Sequence, residues 1–454
     1  MKRKYVIETF GCQMNVHDSD RMAGLLDAAG FEAAADATDA DVVVINTCSV
    51  RERAEEKLYT RLGELRVDAE QTGRRRIIAV AGCVAQQEGH SLFHRSRLVD
   101  VIVGTQSILQ LPSLIARATD EWSRSPVVDI ELHDTVSFPF GLTRRSDSVR
   151  AQVTIIEGCN DFCAFCVVPY TRGRERMRPA TEILEEVRLL ADSGFKEIQL
   201  LGQIVNHYQA PDRSECDFPE LLSLVHEVSG IERIRFASPH PRHVTRRLIE
   251  AMRDLPKVCK HLHLPVQSGS TAVLQRMRRR YSREWYLELV GALRSQLPDL
   301  SISTDMIVGF PGETADDFNE TLSLTETVRF SSMFSFKYSP RPQTLADKRM
   351  PDDVSEEEKT GRIVTLQDTQ RRIQLERHER AVGSRVLVLA DAFSKRHEGQ
   401  VSGRTTGNAV VNFPGDEQLI GQFVTVRIER AGPNSLWGRV DEPTLDSQHT
   451  PAYV

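Results

Sequence analysis

The sequence predicts an α/β protein in three parts: an N-terminal parallel-sheet α/β domain, a central (β/α) partial TIM-type barrel, and a small C-terminal antiparallel β-barrel. Three observations lead there. Apolar, β-branched runs alternate with helical patterns through the first part, and again, in six longer units, through the second. From Gly383 the helical period disappears, and glycines stand at 399, 403, 407, 415, 421 and 438. The length of 454 residues accommodates three domains at roughly 150 residues each. Hydrophobic residues at 40% and charged residues at 27% exclude a largely disordered chain.

The first part, residues 1–145, repeats. Tyr5–Phe10 ends in Gly11-Cys12, Asp41–Ile45 leads to Asn46-Thr47-Cys48, and Ile77–Ala81 ends in Gly82-Cys83. A fourth run, Val99–Val103, ends in Gly104-Thr105 without a cysteine. Each cysteine run precedes a helical segment, so the units read as βαβ around a buried parallel sheet, whose strand C-termini line one edge, where α/β proteins bind ligands. Cys12, Cys48 and Cys83 should therefore converge. A single buried cysteine is commonly only packing; three at equivalent places in a repeat point to a shared site.

Phe138–Arg150 reads as a linker, with Pro139, Gly141 and basic residues at 144, 145 and 150. The central part, residues 146–380, then offers strands at Ala151–Glu157, Glu197–Leu201, Arg233–Ala237, His261–Val266, Ser301–Val308 and Ser332–Tyr338. Helices are expected at Thr181–Ser193, Phe218–Val228, Thr245–Arg253, Arg283–Gln296 and Ala315–Arg329, the last started by a Thr314/Asp317 capping box. Six units are two short of a full barrel and leave a lateral opening. Ser355 with Glu358 starts a long helix to about Val382. The last part, residues 381–443, shows strand runs at Arg385–Leu389, Ala409–Phe413 and Phe423–Ile428. From Arg380 to Val440 it carries eight Lys or Arg against five Asp or Glu. A small, mildly basic β-barrel fits RNA binding, and a packing module is the other reading. The tail from Thr444 reads as loose.

The formal charge of −6 excludes a basic coat over the whole surface and leaves room for local patches. No apolar run reaches the ~18 residues of a membrane span, and the opening MKRKYVIETFGC is no secretory signal. A cytoplasmic location follows, and eight cysteines there should stay reduced.

The strongest chemical signal is Cys159-Asn160-Asp161-Phe162-Cys163-Ala164-Phe165-Cys166, directly after the first central strand. Zinc would want four ligands, and no fourth Cys or His follows at suitable spacing. Three thiolates suit an iron–sulfur cluster with one iron left open; zinc and structural cysteines are the alternatives. Cys216 and Cys259 fit neither cysteine set. Two basic runs follow strand ends: Arg172, Arg174, Arg176 and Arg178, and then Arg276, Arg278, Arg279, Arg280 and Arg283 with Tyr281 and Trp285 interleaved. Both should lie on the catalytic rim, where RNA phosphates and an unpaired base could be met; a solvated face is the alternative.

The C-x3-C-x2-C loop resembles the radical S-adenosylmethionine (SAM) superfamily. Gly11–Asn15, Asn46–Arg51 and Gly82–Gln86 resemble the N-terminal domain of methylthiotransferases. Glu157–Asn160, Cys166–Gly173, Leu262–Gly269, Val308–Thr314 and Tyr338–Pro342 resemble the tRNA-modifying branch of that family, and the last part resembles a TRAM domain. The resemblance implies two 4Fe-4S clusters, one on Cys159, Cys163 and Cys166 whose open iron chelates SAM, and an auxiliary one on Cys12, Cys48 and Cys83. SAM cleavage would then yield a radical that takes hydrogen from carbon 2 of adenine. It further implies Phe165 packed on the SAM adenine, with simple core packing as the other reading, and Gly202 and Gln203 at the methionine end. The implied reaction is methylthiolation of N(6)-isopentenyladenosine at position 37 in the tRNA anticodon loop. The implied partners are a reductase, flavodoxin or ferredoxin as electron donor, and a sulfur donor; no membrane is involved, and the chain is expected to be a monomer. Rival readings are methylthiolation of threonylcarbamoyladenosine or of a ribosomal-protein aspartate, and a non-catalytic iron–sulfur RNA-binding protein. Two residues depart from the family pattern: Gln343 replaces a glycine after Arg341-Pro342, and Ile204 an asparagine after Gly202-Gln203.

Overall fold

Parallel strands that are buried on both faces must be apolar throughout, and the N-terminal runs meet that requirement. In the computed structural model, which describes residues 2–49, 52–121, 127–132, 141–394 and 397–441, they form one parallel six-stranded sheet. Its strands are β1 (Lys4–Phe10), β2 (Glu32–Ala33), β3 (Val42–Thr47), β4 (Ile77–Gly82), β5 (Val101–Val103) and β6 (Val127–Asp129), in the order β2-β1-β3-β4-β5-β6. Val42, Val44, Ala79 and Ala81 face one core, with Met22 and Leu26 of the helix Gln13–Ala28. Val43, Ile45, Ile78 and Val80 face the other, with Leu58, Leu62 and Leu65 of the helix Glu52–Thr72. Strands β2 and β6 are too short to register as runs in the sequence. Part of the expected linker, 138–140, and the tail from Thr444 lie outside the described residues.

The chain forms two compact units. The first comprises Met1–Ser146, Glu157–Arg176 and Arg341–Lys348; the second comprises Asp147–Ile156, Met177–Pro340 and Arg349–Val454. The expected first central strand divides into β7 (Arg150–Thr154) and β8 (Ile156–Glu157), and β9 (Arg176–Met177) follows the cysteine loop. The barrel strands continue as β10 (Glu197–Leu201), β11 (Arg233–Phe236), β12 (His261–His263), β13 (Ser301–Val308) and β14 (Ser332–Lys337). They make two parallel three-stranded sheets, β11-β10-β7 and β12-β13-β14. Val258, leading into β12, bridges to Ile234 of β11. Among the described residues β7 and β14 are not paired, so the barrel is open between them. The fourth strand is shorter than the run His261–Val266 because Pro265 has no N–H to donate to the ladder. Outward-facing Ala151, Val153, Ile198, Leu200, Ile234 and Leu262 pack on the helices. The expected capping boxes are present at Thr314/Asp317 and Ser355/Glu358, and the long helix runs Glu356–Glu379.

The C-terminal strands are β15 (Arg385–Phe393), β16 (Gln400–Arg404), β17 (Val410–Pro414), β18 (Phe423–Ala431) and β19 (Leu436–Val440). They close into a barrel in the order β15-β16-β17-β19-β18. Every pairing is antiparallel except β17 with β19, which is parallel. This barrel packs against the N-terminal ends of the central strands through buried charge. Arg233 donates to the Arg404 carbonyl at 2.6 Å. Arg235 donates to the carbonyls of Thr405 and Thr406 and pairs with Glu197 at 3.1 Å. Arg150 pairs with Asp391 at 3.1 Å. The small barrel therefore sits on the opposite end of the central barrel from the strand C-termini.

Removing one member of a buried pair strands its partner without solvent. Arg235→Ala should therefore destabilise the second unit by about 3–5 kcal/mol, whereas Arg235→Met combined with Glu197→Gln should recover much of the loss. Denaturant unfolding of the three proteins measures this. Equal midpoints for wild type and Arg235→Ala would show that the pair does not hold the two barrels together.

Candidate metal centre

Sheet register alone brings the first three cysteines together. Phe10 lies opposite Thr47, and Thr47 opposite Gly82. Cys48 follows Thr47 and donates its N–H to the Phe10 carbonyl at 2.9 Å. Cys12 and Cys83 begin the helical segments after β1 and β4. All three therefore stand at the C-terminal edge of adjacent central strands. The turn into Cys83 needs Gly82: its φ is +89°, and a Cβ there would lie 2.3 Å from Asn46 Oδ1.

Behind the thiols runs a buried amide network. Asn15 Nδ2 donates to Asn46 Oδ1 at 3.1 Å, and Asn46 Nδ2 returns to the Asn15 carbonyl at 2.8 Å and to Ser19 Oγ at 2.9 Å. Asn15 Oδ1 also accepts from the Cys12 thiol and backbone N–H, both at 3.3 Å. These amides fix the loops that carry Cys12 and Cys48. Asn15 and Asn46 belong to the motifs around Cys12 and Cys48, but nothing in the sequence pattern indicates this positioning role.

The pull on the protons is uneven. A hydrogen bond from the Cys48 thiol is the main cause that lowers Cys12 to about 6, helped by the Arg172 guanidinium and by the amides of Asn15 and Met14. Burial raises Cys83, against the opposing charge of Arg172. Arg172 arrives from the second cysteine loop and pairs with Asp18 at 2.6 Å, with only 5% and 1% of the two side chains exposed. Thr105 Oγ1 and Gln106 Nε2 donate to the carbonyls of Thr171 and Arg172 at 2.7 and 2.8 Å, which fixes the same segment from a third side.

The loop Cys159–Cys166 lies in the same unit. It opens at Gly158, with φ +80° and so little room that a Cβ would lie 2.0 Å from the Arg174 carbonyl oxygen. Cys159 donates its N–H to Gly173 at 3.2 Å, and Cys166 to Cys163 at 3.0 Å, so the loop coils back on itself. Burial pushes the Cys159 thiol up to about 12. Ala346 donates to the Ala164 carbonyl at 2.8 Å. The neighbouring turn has Gln343 at φ +73°, so glutamine holds the left-handed conformation that glycine would take without strain.

All six of these cysteines belong to the first unit, and Cys216 and Cys259 belong to the second. The latter two are buried, and burial raises both thiols. Phe165 is half-buried in the first unit. Gly202 and Gln203 follow β10 in the second, where Gln203 Oε1 is buried without a partner among the described residues and Ile204 is buried beside it.

The donor sets fit iron–sulfur clusters. Each offers three thiols, short of the four ligands of structural zinc. Thr47 Oγ1 and Ser49 Oγ, on either side of Cys48, are buried without hydrogen-bond partners among the described residues. Cluster sulfides would accept from such hydroxyls. The first arginine run is mostly internal: Arg172 is paired with Asp18, Arg176 with Glu157 at 3.0 Å, and Arg178 with Glu186 and Glu182. Only Arg174 is exposed. The expectation that the whole run meets RNA is thus corrected, because carboxylates both near and far in sequence draw three of its four arginines into ion pairs.

In the metal-free protein, alkylation of Cys12 should titrate near pH 6, while Cys83 resists. Cys12 is depressed in the folded state, so its thiolate stabilises the fold at high pH, and this contribution is lost as pH falls through about 6. Arg172→Gln should move the midpoint upward. Residue-resolved mass spectrometry of iodoacetamide adducts across pH measures both, and an ordinary thiol midpoint for Cys12 would contradict the described electrostatics.

Residues 4–104 match the family described as Uncharacterized protein family UPF0004, residues 153–325 the Radical SAM superfamily, and residues 379–440 the TRAM domain. Solved structures show the fold at low identity. The radical S-adenosylmethionine methyltransferase TsrM from Kitasatospora setae, with cobalamin and a 4Fe-4S cluster bound, matches with a TM-score of 0.53 at 14% identity, over 88% of this chain and 81% of that one. The cobalamin-dependent S-adenosylmethionine radical enzyme OxsB matches with a TM-score of 0.51 at 13% identity, over 82% and 56%. Relatives named tRNA-2-methylthio-N(6)-dimethylallyladenosine synthase are much nearer. The protein from Geobacter metallireducens is 44% identical over 96% of this chain and 97% of its own length. That from Geotalea uraniireducens is 45% identical over 96% and 98%. On that likeness across nearly its whole length, the chain belongs to the tRNA-2-methylthio-N(6)-dimethylallyladenosine synthase family of radical SAM methylthiotransferases.

Proposed function

We propose that the chain methylthiolates carbon 2 of N(6)-isopentenyladenosine at position 37 of tRNA, giving 2-methylthio-N(6)-isopentenyladenosine. The observation that carries this reading is the pair of three-cysteine sets within one compact unit of a chain from this family. Cys159, Cys163 and Cys166 would hold one 4Fe-4S cluster, and Cys12, Cys48 and Cys83 the auxiliary one. When bound, the two clusters and SAM supply reductive cleavage of SAM, hydrogen abstraction at an unactivated C–H bond, and the sulfur and methyl groups of the product.

The chain's own residues position these groups. The Asn15–Asn46 network orients the loops of Cys12 and Cys48, and the buried hydroxyls of Thr47 and Ser49, unpartnered among the described residues, would donate to sulfide. Arg172 offsets negative charge beside Cys12 and Cys83. Phe165 would pack on the SAM adenine, and Gly202 with Gln203 would receive its methionine end, where the unpartnered Gln203 oxygen can accept from an amino group. We assign the functional parts as 1–145 for the auxiliary cluster, 146–380 for SAM chemistry and 381–443 for RNA binding. An external reductase, flavodoxin or ferredoxin supplies electrons, a separate donor replenishes sulfur, and the chain works in the cytoplasm as a monomer. Among the described residues no helix is long and apolar enough to cross a membrane.

Two experiments test this. Replacing Cys159, Cys163 and Cys166 with Ala should leave about half the iron and abolish 5′-deoxyadenosine formation. Replacing Cys12, Cys48 and Cys83 should spare SAM cleavage while thiomethylated product disappears. Normal product from the second triple variant would rule out the auxiliary assignment.

Anticodon stem-loops that are unmodified, isopentenylated or threonylcarbamoylated, offered in competition, should yield product from the isopentenylated one in excess by orders of magnitude. An apolar prenyl group contributes roughly 0.8 kcal/mol per buried methylene. A preference for either of the others, read by mass spectrometry, would move the chain to another substrate.

A further inference from the structure

The second arginine run is divided by the fold into residues that hold it and residues that hold nothing. Arg276 donates to the Gly312 carbonyl at 2.9 Å and pairs with Asp317 at 3.4 Å. Arg279 is buried, donating to the Tyr281 hydroxyl at 2.9 Å and to the Pro265 carbonyl at 3.1 Å. Arg283 donates to the Gly269 carbonyl and to Ser323 Oγ, both at 3.1 Å. Arg278 and Arg280 alternate with these, are exposed, and have no side-chain hydrogen bond or ion pair among the described residues.

Both of these arginines have φ +59°. Arg278 follows the helix Thr271–Arg276 and its cap Met277. Its N–H bonds to Gln275, and that of Arg279 to Leu274, which is the helix-ending arrangement in which glycine usually takes the left-handed position. An L side chain adopts that conformation at a cost, and here it occurs twice within three residues with no hydrogen bond or ion pair of either side chain among the described residues to offset it. The acid within the strap, Glu284, accepts from Thr271 Oγ1 at 3.2 Å instead of from either arginine. Beside them Trp285 stacks on the buried Tyr281, centroids 5.6 Å apart and planes at 27°, with 36% of the tryptophan exposed. Tyr281 is itself anchored through its hydroxyl to the Val266 carbonyl at 3.0 Å. The strap follows the C-terminal end of β12, on the rim of the central barrel.

We propose that the strap Arg278–Trp285 is a binding site for single-stranded RNA, the anticodon loop of the tRNA substrate. Arg278 and Arg280 take two backbone phosphates, and Trp285 takes the face of an unpaired base. The assignment rests on the tRNA reading above. Two exposed guanidinium groups without a hydrogen bond or ion pair among the described residues suit contact with the phosphates of a loop, and a stacked, partly exposed indole offers a flat platform to any base.

Glycine can keep the φ of both positions while removing both charges, so Arg278→Gly/Arg280→Gly should fold at least as well as wild type. With the full, cluster-loaded chain and a fluorescent isopentenylated anticodon stem-loop, the double variant should bind roughly tenfold more weakly at about 0.1 M salt. The slope of log K against log salt should flatten by about 1.4, for two phosphates on a single strand. Arg278→Lys/Arg280→Lys should restore the slope. Trp285→Ala should weaken binding about fivefold or more and leave the slope unchanged. SAM cleavage without RNA should match wild type in all three variants. Unchanged affinity and slope in a folded glycine double variant, with wild type binding normally, would overturn the strap assignment alone. A wild-type chain that fails to bind the stem-loop would overturn the tRNA reading, and the strap assignment with it.

Discussion

The pairing of Arg172 with Asp18 ties the chemistry of this protein together. Asp18 lies in the helix that starts at the first cysteine, and Arg172 lies six residues beyond the last cysteine of the C-x3-C-x2-C loop. With both side chains almost wholly buried, neither charge can lose the other without a penalty of several kcal/mol. The loop is therefore fastened to the edge of the N-terminal sheet. The same guanidinium lowers the Cys12 thiol and opposes the effect of burial on Cys83. Thr105 and Gln106 hold the backbone on either side of it. One residue thus supports the loop of the second cysteine set and contributes positive charge beside the first.

The second unit separates two tasks along the axis of its barrel. Strand C-termini carry Gly202, Gln203 and the arginine strap, and strand N-termini carry Arg150, Glu197, Arg233 and Arg235, which bind the small β-barrel. That small barrel matches the TRAM domain and is a packed part of the unit. Such an attachment holds the small barrel at a fixed distance from the rim, which a flexible tether would not.

Much of this was legible in the sequence because its causes are local. Continuous apolar runs such as Val42–Ile45 and Ile77–Ala81 have to be buried parallel strands, and cysteines at equivalent places after them have to meet at one edge. What was not legible depends on which side chains the fold brings together, which a charge pattern does not state. Arg172 and Arg178 look like Arg174 in a charge run, yet Asp18 and Glu186 draw two of them inside. The buried hydroxyls of Thr47 and Ser49 carry no pattern of their own. Strands β16 and β19 leave no clear run in the sequence because Gly403 and Gly438 interrupt their apolar period, and the run His261–Val266 exceeds β12 because Pro265 is apolar without being a donor.

On the proposed reading, two separate four-iron clusters sit on the two cysteine triads, each leaving one iron without a cysteine ligand, and only the cluster on Cys159, Cys163 and Cys166 takes SAM. Mössbauer spectroscopy of the reconstituted wild-type chain, before and after addition of SAM, tests this most directly. The account predicts two four-iron clusters per chain, with SAM shifting the signal of a single iron in one of them. A single cluster per chain, or two clusters of which neither responds to SAM, would contradict it.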